Sequence, residues 1–406
     1  MSMVESPIGN QSAPRGQGVS RQAGSVFMVA GEASGDWAGA RLAEALRRQQ
    51  PNLALCGIGG RRMAQAGVEL IVDSSNWAAI GVFESLSKAP AVLGALRIAR
   101  AHLQSARPSA LVLIDCGAVN LRIARLARDL GLPALYYFPP GSWRKNSRRV
   151  TIRDQVDMIA TPFPWSKELL SGGRALVEWV GHPVVECARP LLSREAAGDR
   201  YGVDLTRPVV AIAPGSRGQE IHYLLPVLVA AARKLQDAFP EAQFLVPVAA
   251  SLERGRVAGP MTQAGINAIY LDGMEYDALQ LADVGMVCSG SVTLEFACLG
   301  IPMVVTYRAS RATTMQYWLV RGLIGGQRFA AMPNIIAGRE VVRELMGSAA
   351  RPEGIAEEVA ALLRDERQRA RIRAELEVVV SALGPPGASE RTAEMVFALM
   401  RSRGAA

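Results

Sequence analysis

Short β-rich apolar runs alternate with helical stretches along almost the whole of this chain, in two successive series. The first places strand candidates at Ser25–Ala30, Leu53–Ile58, Ala110–Cys116, Ala134–Phe138, Met158–Thr161 and Leu176–Val180. Helical patterns separate them at Asp36–Gln49, Leu86–Ala106 and Leu121–Leu130. The second series runs Val209–Ala213, Gln243–Val248, Ala268–Leu271, Val284–Cys288 and Met303–Thr306. A strand–helix–strand rhythm builds parallel sheets with helices on both faces. Two such series in 406 residues predict an α/β chain of two doubly wound, Rossmann-like domains facing one another across a cleft. The expected divisions are a leader over 1–24, a first domain over 25–188, a second over 189–365 and C-terminal helices over 366–406. Pro190, Gly198 and Pro208 punctuate the charged connector at the domain boundary. From Pro352 the chain reads as helix, broken at Gly384–Gly387 and resumed at Glu390–Arg401.

Composition narrows the function classes. Half of the residues are hydrophobic and a fifth charged, a balance that folds into globular domains. No window reaches the roughly 18 uninterrupted apolar residues of a membrane span. The polar leader lacks the apolar core of a signal peptide and reads as a disordered cytoplasmic segment. Five scattered cysteines without a CxxC pair, and three histidines, predict no metal site. The net charge of +8 admits phosphorylated substrates and anionic lipid. Nucleic acid is not expected, because the basic run Trp143–Asp154 carries no aromatic interleaving. The segment Val82–Leu103 mixes apolar side chains with Lys88, Arg97 and Arg100. It either lies on an anionic bilayer or packs on its sheet with solvated arginines, the commoner outcome.

Three turns carry chemistry. AGEASGD (Ala30–Asp36) follows the first strand and opens a helix, where backbone N–H groups meet ligands in α/β sheets. It holds Glu32, Ser34 and Asp36, so it suits a hydroxyl-bearing ligand better than a bare pyrophosphate. In the second series, PGSRGQE (Pro214–Glu220) offers Gly215 for close backbone approach, Ser216, and Arg217 to fork onto phosphate oxygens. It is not a Walker loop, since no Gly-Lys-Ser/Thr is present. A later turn, Ser289-Gly290-Ser291, precedes a helix bearing Glu295, a carboxylate suited to a ribose diol or to the helix dipole. Together the last two turns fit a nucleoside diphosphate.

These blocks bring a family into view. With GIGGRRM (Gly57–Met63), GHPVVE (Gly181–Glu186), PMVVTYR (Pro302–Arg308) and MPNIIAGR (Met332–Arg339), in order from Val26 to the last helix, the chain resembles lipid-A-disaccharide synthases. These are inverting glycosyltransferases of the two-Rossmann GT-B type. The resemblance implies transfer of 2,3-diacylglucosamine from UDP to the 6-hydroxyl of 2,3-diacylglucosamine 1-phosphate, forming a β-1,6 link. It implies Arg217 on the diphosphate, Ser289, Gly290 and Glu295 at the nucleotide, and Asn334 and Arg339 in the substrate cleft. Glu32 and Ser34 would line the acceptor side. The UDP-sugar is a substrate, no cofactor or metal is implied, and the expected location is the inner face of the cytoplasmic membrane. A homodimer stays open.

Two departures lie in the first domain. The family pattern Ile-Asp-x-Pro-Asp-Phe-Asn is here IDCGAVNL (Ile114–Leu121): Asp115 and Asn120 remain, but Ala118 replaces the aspartate usually assigned as general base. A tryptophan-rich block is reduced to PPGSWRKN (Pro139–Asn146). Asp115, Glu32 and Glu84 are the carboxylates left for the base. The alternatives are a UDP-sugar glycosyltransferase with another lipid or glycan acceptor, a nucleotide-sugar-binding homologue with weak catalysis, or an epimerase on the same architecture.

Overall fold

The computed structural model describes residues 24–75, 82–142, 152–309 and 329–404. The first sheet comprises β1 (Ser25–Ala30), β2 (Ala54–Gly59), β3 (Glu69–Asp73), β4 (Ala110–Ile114), β5 (Ala134–Tyr137), β6 (Met158–Thr161) and β7 (Leu176–Trp179). Its strands lie in the order β3-β2-β1-β4-β5-β6-β7, all parallel. The second comprises β8 (Val209–Ala213), β9 (Gln243–Val248), β10 (Ala268–Asp272), β11 (Val284–Cys288), β12 (Met303–Tyr307) and β13 (Arg343–Met346). It runs β10-β9-β8-β11-β12-β13, again parallel. Each sheet reverses its strand order once, between β1 and β4 and between β8 and β11. Ligands of open α/β sheets bind beyond the carboxyl ends at that reversal.

The helices in the first series are α1 (Ala33–Gln49), α2 (Arg61–Gln65), α3 (Val82–Ala106), α4 (Gly117–Asp129), α5 (Pro164–Leu170) and α6 (Val184–Cys187). Those that follow are α7 (Arg194–Tyr201), α8 (Gly218–Ala238), α9 (Arg254–Gln263), α10 (Tyr276–Leu279), α11 (Val292–Cys298) and α12 (Met332–Ala337). The last three are α13 (Pro352–Arg364), α14 (Glu366–Ser381) and α15 (Ala388–Gly404). The central strands bury every residue on both faces, as in β4, β8 and β11. Side chains above and below each sheet accordingly form separate apolar clusters. The edge strands β3 and β13 escaped the apolar-run criterion. ELIVD and RELM carry charges and are only partly covered, because an edge strand has a neighbour on one side alone.

The C-terminal helices are divided between the sheets. Helix α14 packs on α11 and α12, whereas α15 returns to α1, β4, β5 and β6, burying Ala393, Val396 and Leu399. The crossing is made at Gly384–Gly387, where both glycines have positive φ (89° and 95°). The GHPVVE block clamps it. The His182 amide donates to the Leu383 carbonyl, and the Glu186 carboxylate accepts from the Gly387 amide (2.6 Å) and the Ser389 hydroxyl (2.7 Å). Arg391 donates to the carbonyls of Val180 and Pro385. His182 itself is buried and accepts from the Val184 amide (3.1 Å), and burial pushes its pKa down to about 3. It is a neutral turn-fixing residue, as expected of a histidine between a strand and a proline.

A hydrogen bond to a charged group contributes about 1.5–3 kcal/mol. Glu186→Ala should therefore loosen α15 by about 2–4 kcal/mol, read as faster amide exchange in α15 with exchange in α8 unchanged.

Candidate functional site

Every sequence-predicted turn lies at a carboxyl edge beside a reversal point: Ala30–Asp36 after β1, Asp115 after β4, Pro214–Arg217 after β8 and Ser289–Ser291 after β11. The first differs from expectation in one respect. Helix α1 starts at Ala33 with Glu32 as its extended N-cap (φ −137°), so Ser34 and Asp36 belong to its first turn. The Asp36 carboxylate accepts from the amides of Gly60 (2.7 Å), Arg62 (3.1 Å) and Met63 (3.1 Å). It binds the GIGGRRM turn to α1.

Beyond β4 the backbone turns through two left-handed, non-glycine residues, Asp115 (φ 51°) and Cys116 (φ 39°). Such residues cost on the order of 1–3 kcal/mol each unless the surroundings hold them. Here the Asp115 carbonyl accepts from the Tyr136 hydroxyl (2.6 Å) and the Asn120 side chain (2.9 Å), and Asn120 also donates to Ile114 O (2.9 Å). Asn120 is fully buried and supports the turn from within the fold. The turn aims the Asp115 carboxylate at α1, where Ser34 Oγ donates to Oδ2 at 2.7 Å.

Glu32 stands beside that carboxylate. Burial and then the charge of Asp115 raise its pKa above the ordinary carboxylate value, while Arg217 opposes the rise. Arg217 arrives from the other sheet, donating from Nη2 to Glu32 Oε2 at 3.0 Å. This contact joins the two candidate turns across the cleft.

The Pro214–Arg217 turn is organised by a residue the sequence reading did not single out, Glu220. It is 4 % exposed, and its Oε2 accepts from the amides of Ser216 (2.8 Å) and Arg217 (3.1 Å). Its Oε1 accepts from Arg217 Nη1 at 3.1 Å. The amides of Ser216 and Arg217 thus already hold an anion. Gly215 (φ 111°) leaves room for it, since a Cβ there would lie 2.4 Å from Glu220 Oε2. What this turn presents to a ligand is the Arg217 guanidinium, not a bare amide cradle. Only half of a capping box is formed, Glu220 accepting from the Arg217 amide, because an arginine N-cap has no acceptor to return, so the usual Ser/Thr-x-x-Glu pattern does not flag it.

At the third turn, Ser289 donates to the Ala330 carbonyl (3.1 Å), and Thr293 Oγ1 donates to the Gly290 carbonyl (2.7 Å). Gly290 and Ser291 are exposed, and a Cβ on Gly290 would meet open space. Glu295 accepts from the Tyr276 hydroxyl at 2.7 Å. Burial raises its pKa, with the Tyr276 hydrogen bond and the Arg62 guanidinium opposing. Tyr276 and Arg62 were not foreseen, because neither adjoins Glu295 in sequence.

The late block reaches the third turn only indirectly, through Glu344, which accepts from Asn334 and from the amides of Ala330 and Ala331, while Ser289 holds the Ala330 carbonyl. Asn334 is fully buried, and its amide is saturated: Nδ2 donates to Val342 O and Glu344 Oε1 (both 2.8 Å), and Oδ1 accepts from the amides of Val341 (2.7 Å) and Val342 (2.9 Å). Arg339 pairs with Glu375 on α14 at 2.5 Å. Asn334 ties α12 to the chain entering β13, and Arg339 ties the end of the block to α14. No cluster suited to a metal ion occurs among the described residues. Position 118 falls in the first turn of α4. Glu84 and Lys88 lie in α3, but their side chains are outside the described residues, as are residues 1–23 and 143–151 of the leader and the basic run.

A sequence model of the lipid-A-disaccharide synthetase family matches residues 26–397. A relative from Geobacter sulfurreducens named lipid-A-disaccharide synthase is 38% identical over 376 residues, covering 92% of this chain and 97% of that protein. The chain belongs to the lipid-A-disaccharide synthase family. It is thereby a glycosyltransferase, and solved structures share its GT-B fold. The UDP-GlcNAc 2-epimerase from Neisseria meningitidis, bound to UDP-GlcNAc, aligns with a TM-score of 0.60 at 12% identity, covering 92% of this chain and 98% of that one. The calicheamicin glycosyltransferase CalG4 aligns with a TM-score of 0.55 at 14% identity, covering 94% and 99%.

Within this synthase fold, Asn334→Ala should cost about 3 kcal/mol or more, because it strands buried backbone groups. Chemical denaturation reads that loss. UDP affinity of the folded protein should stay at the wild-type value, since every polar atom of the Asn334 side chain is committed within the fold.

Proposed function

We propose that the chain transfers 2,3-diacylglucosamine from UDP to the 6-hydroxyl of 2,3-diacylglucosamine 1-phosphate, with inversion. The observation that carries this reading is the contact between Glu32 and Arg217, which sets a carboxylate of one domain against a diphosphate-binding arginine of the other. Family membership supports the donor and acceptor chemistry. The UDP-GlcNAc bound to the Neisseria enzyme supports a UDP-sugar as donor.

In this reading Arg217 neutralises the charge that grows on the departing diphosphate. Glu295 holds the ribose, beside the exposed Gly290 and Ser291. Glu32 takes the proton from the acceptor hydroxyl as the new oxygen–carbon bond forms and the bond from the anomeric carbon to the β-phosphate oxygen breaks. UDP leaves with the electron pair. Glu32 fits the role because its Oε1 accepts no hydrogen bond among the described residues and its proton affinity is already raised. Asp115, bound by Ser34, contributes the neighbouring charge that strengthens that base. Ala118 is then tolerated because the base sits on the facing turn.

The acceptor is a lipid, and α3 has a surface to meet its membrane. One side, Ala95, Ala99 and Leu103, is buried on the sheet, while Leu93 (52 %) and Ile98 (49 %) are exposed on its two flanks, together with Arg97 and Arg100. The sheet-packing reading describes the buried side, and we assign peripheral contact with the inner face of the cytoplasmic membrane to the exposed part. No helix among the described residues is long and apolar enough to cross a membrane.

Mass spectrometry of the product from UDP-diacylglucosamine and its monosaccharide 1-phosphate tests the reaction. A disaccharide is expected; a free epimer or unchanged substrate would overturn it. Since Glu32 must be ionised to accept a proton, kcat should rise with pH through its elevated pKa. Glu32→Gln should remove that limb and lower kcat by about 10²–10⁴-fold. Ala118→Asp should change kcat no more than a few-fold, whereas a hundredfold gain would show that the base was lost from position 118 and never replaced.

A further inference from the structure

Arg217 is shared by two carboxylates that differ in how easily they can leave it. Glu220 is 4 % exposed and holds three donors of its own turn, so releasing Arg217 completely would also unmake the turn. Glu32 is 38 % exposed, belongs to the other domain, and has Arg217 as its hydrogen-bond partner at a single oxygen. It can therefore exchange. The charges press for that exchange. One guanidinium already faces two carboxylates, with Asp115 close behind Glu32. A diphosphate entering this group is repelled unless one carboxylate gives way.

We propose that Glu32 and the donor diphosphate compete for Arg217, so that donor binding itself frees the general base. In the empty cleft Glu32 occupies the guanidinium edge that a phosphate oxygen needs. When the donor binds, Arg217 keeps Glu220 and turns its Nη2 edge to the diphosphate. Glu32 is then left facing Asp115 and the Cys116 thiol without a counterion, and its affinity for a proton increases. It accepts the acceptor's hydroxyl proton. Once UDP departs, Arg217 returns to Glu32, which releases that proton to solvent. The exchange makes the donor the first substrate and keeps the base paired until there is a sugar to transfer.

The sign of the pH linkage follows. The pKa of Glu32 is higher with donor bound than without, so binding takes up protons at pH values near those two, and the fraction of Glu32 left ionised serves as the base. The contribution of Glu32 to UDP affinity is greatest below its donor-free pKa and is lost as pH rises through the donor-bound value. The groups facing Glu32 are Asp115 and Cys116 from the β4–α4 turn and Arg217, itself paired with Glu220, from the second domain.

This inference rests on the transferase reading but is tested without turnover, by calorimetric titration of the full chain with UDP. Buffers of different ionisation enthalpy report the protons exchanged. Glu32→Gln should bind UDP about three- to tenfold more tightly at neutral pH, the range expected for relief of a partly exposed ion pair. It should also lose the proton uptake that the wild type shows. Glu32→Ala guards against a residual contact between Arg217 and the amide of the Glu32→Gln variant, and should behave alike. Neither substitution removes a helix-capping hydrogen bond, since the Glu32 side chain makes none. Unchanged or weaker UDP affinity in both variants, or proton uptake that persists in them, would overturn the exchange. A wild type that shows the exchange but forms no disaccharide would overturn the acceptor assignment alone, whereas one that binds no UDP would overturn both.

Discussion

Arg217 is the point at which the two halves of this protein become one site. Its position is set by Glu220, a nearly buried carboxylate that satisfies two turn amides and one edge of the guanidinium. Without that internal anion the first turn of α8 would present loose amides and a mobile arginine. With it, the other guanidinium edge is directed across the cleft to Glu32. Strain after β4, the Ser34–Asp115 hydrogen bond and the raised proton affinity of Glu32 all acquire a role through this one pairing.

A contact of this kind requires the two sheets to keep their relationship, and the C-terminal crossover supports that. The chain leaves the second sheet through α14, bends at Gly384–Gly387 and lays α15 on the first sheet. The GHPVVE block holds the bend through Glu186 and the His182 amide, with Arg391 answering from α15. Residues that resemble a family signature thus serve as a hinge clamp. Apolar burial under α15 is non-directional; the charged hydrogen bonds at the bend decide where the helix enters.

Much of the fold was legible because buried parallel strands are short continuous apolar runs. β1, β6, β8, β9 and β11 coincide with their predicted spans. β3 and β13 were missed because edge strands tolerate charge and alternate weakly. The site was legible in its turns and less so in its individual side chains. Asn120 and Asn334 look like cleft residues in sequence, since a polar residue in a motif carries no mark of which way it points. Both prove to be buried scaffolding. Glu220, Tyr276 and Arg62 were overlooked for the converse reason: their partners are supplied by turn geometry, by a separate helix of the same domain and by the other domain, respectively.

The sequence by itself determined the two βα series, the small-residue turns that end their central strands, the family, and the missing carboxylate at position 118. The first two follow from local periodicity and residue chemistry, and the last two from setting the motif blocks against the family pattern; neither step needs knowledge of distant neighbours. Tertiary structure alone decided that Glu32 meets Arg217, 185 positions apart in the chain, and that the amides of the phosphate-like turn are already occupied. Those outcomes depend on how two sheets face each other and which lone pairs are left over, and no linear pattern encodes either.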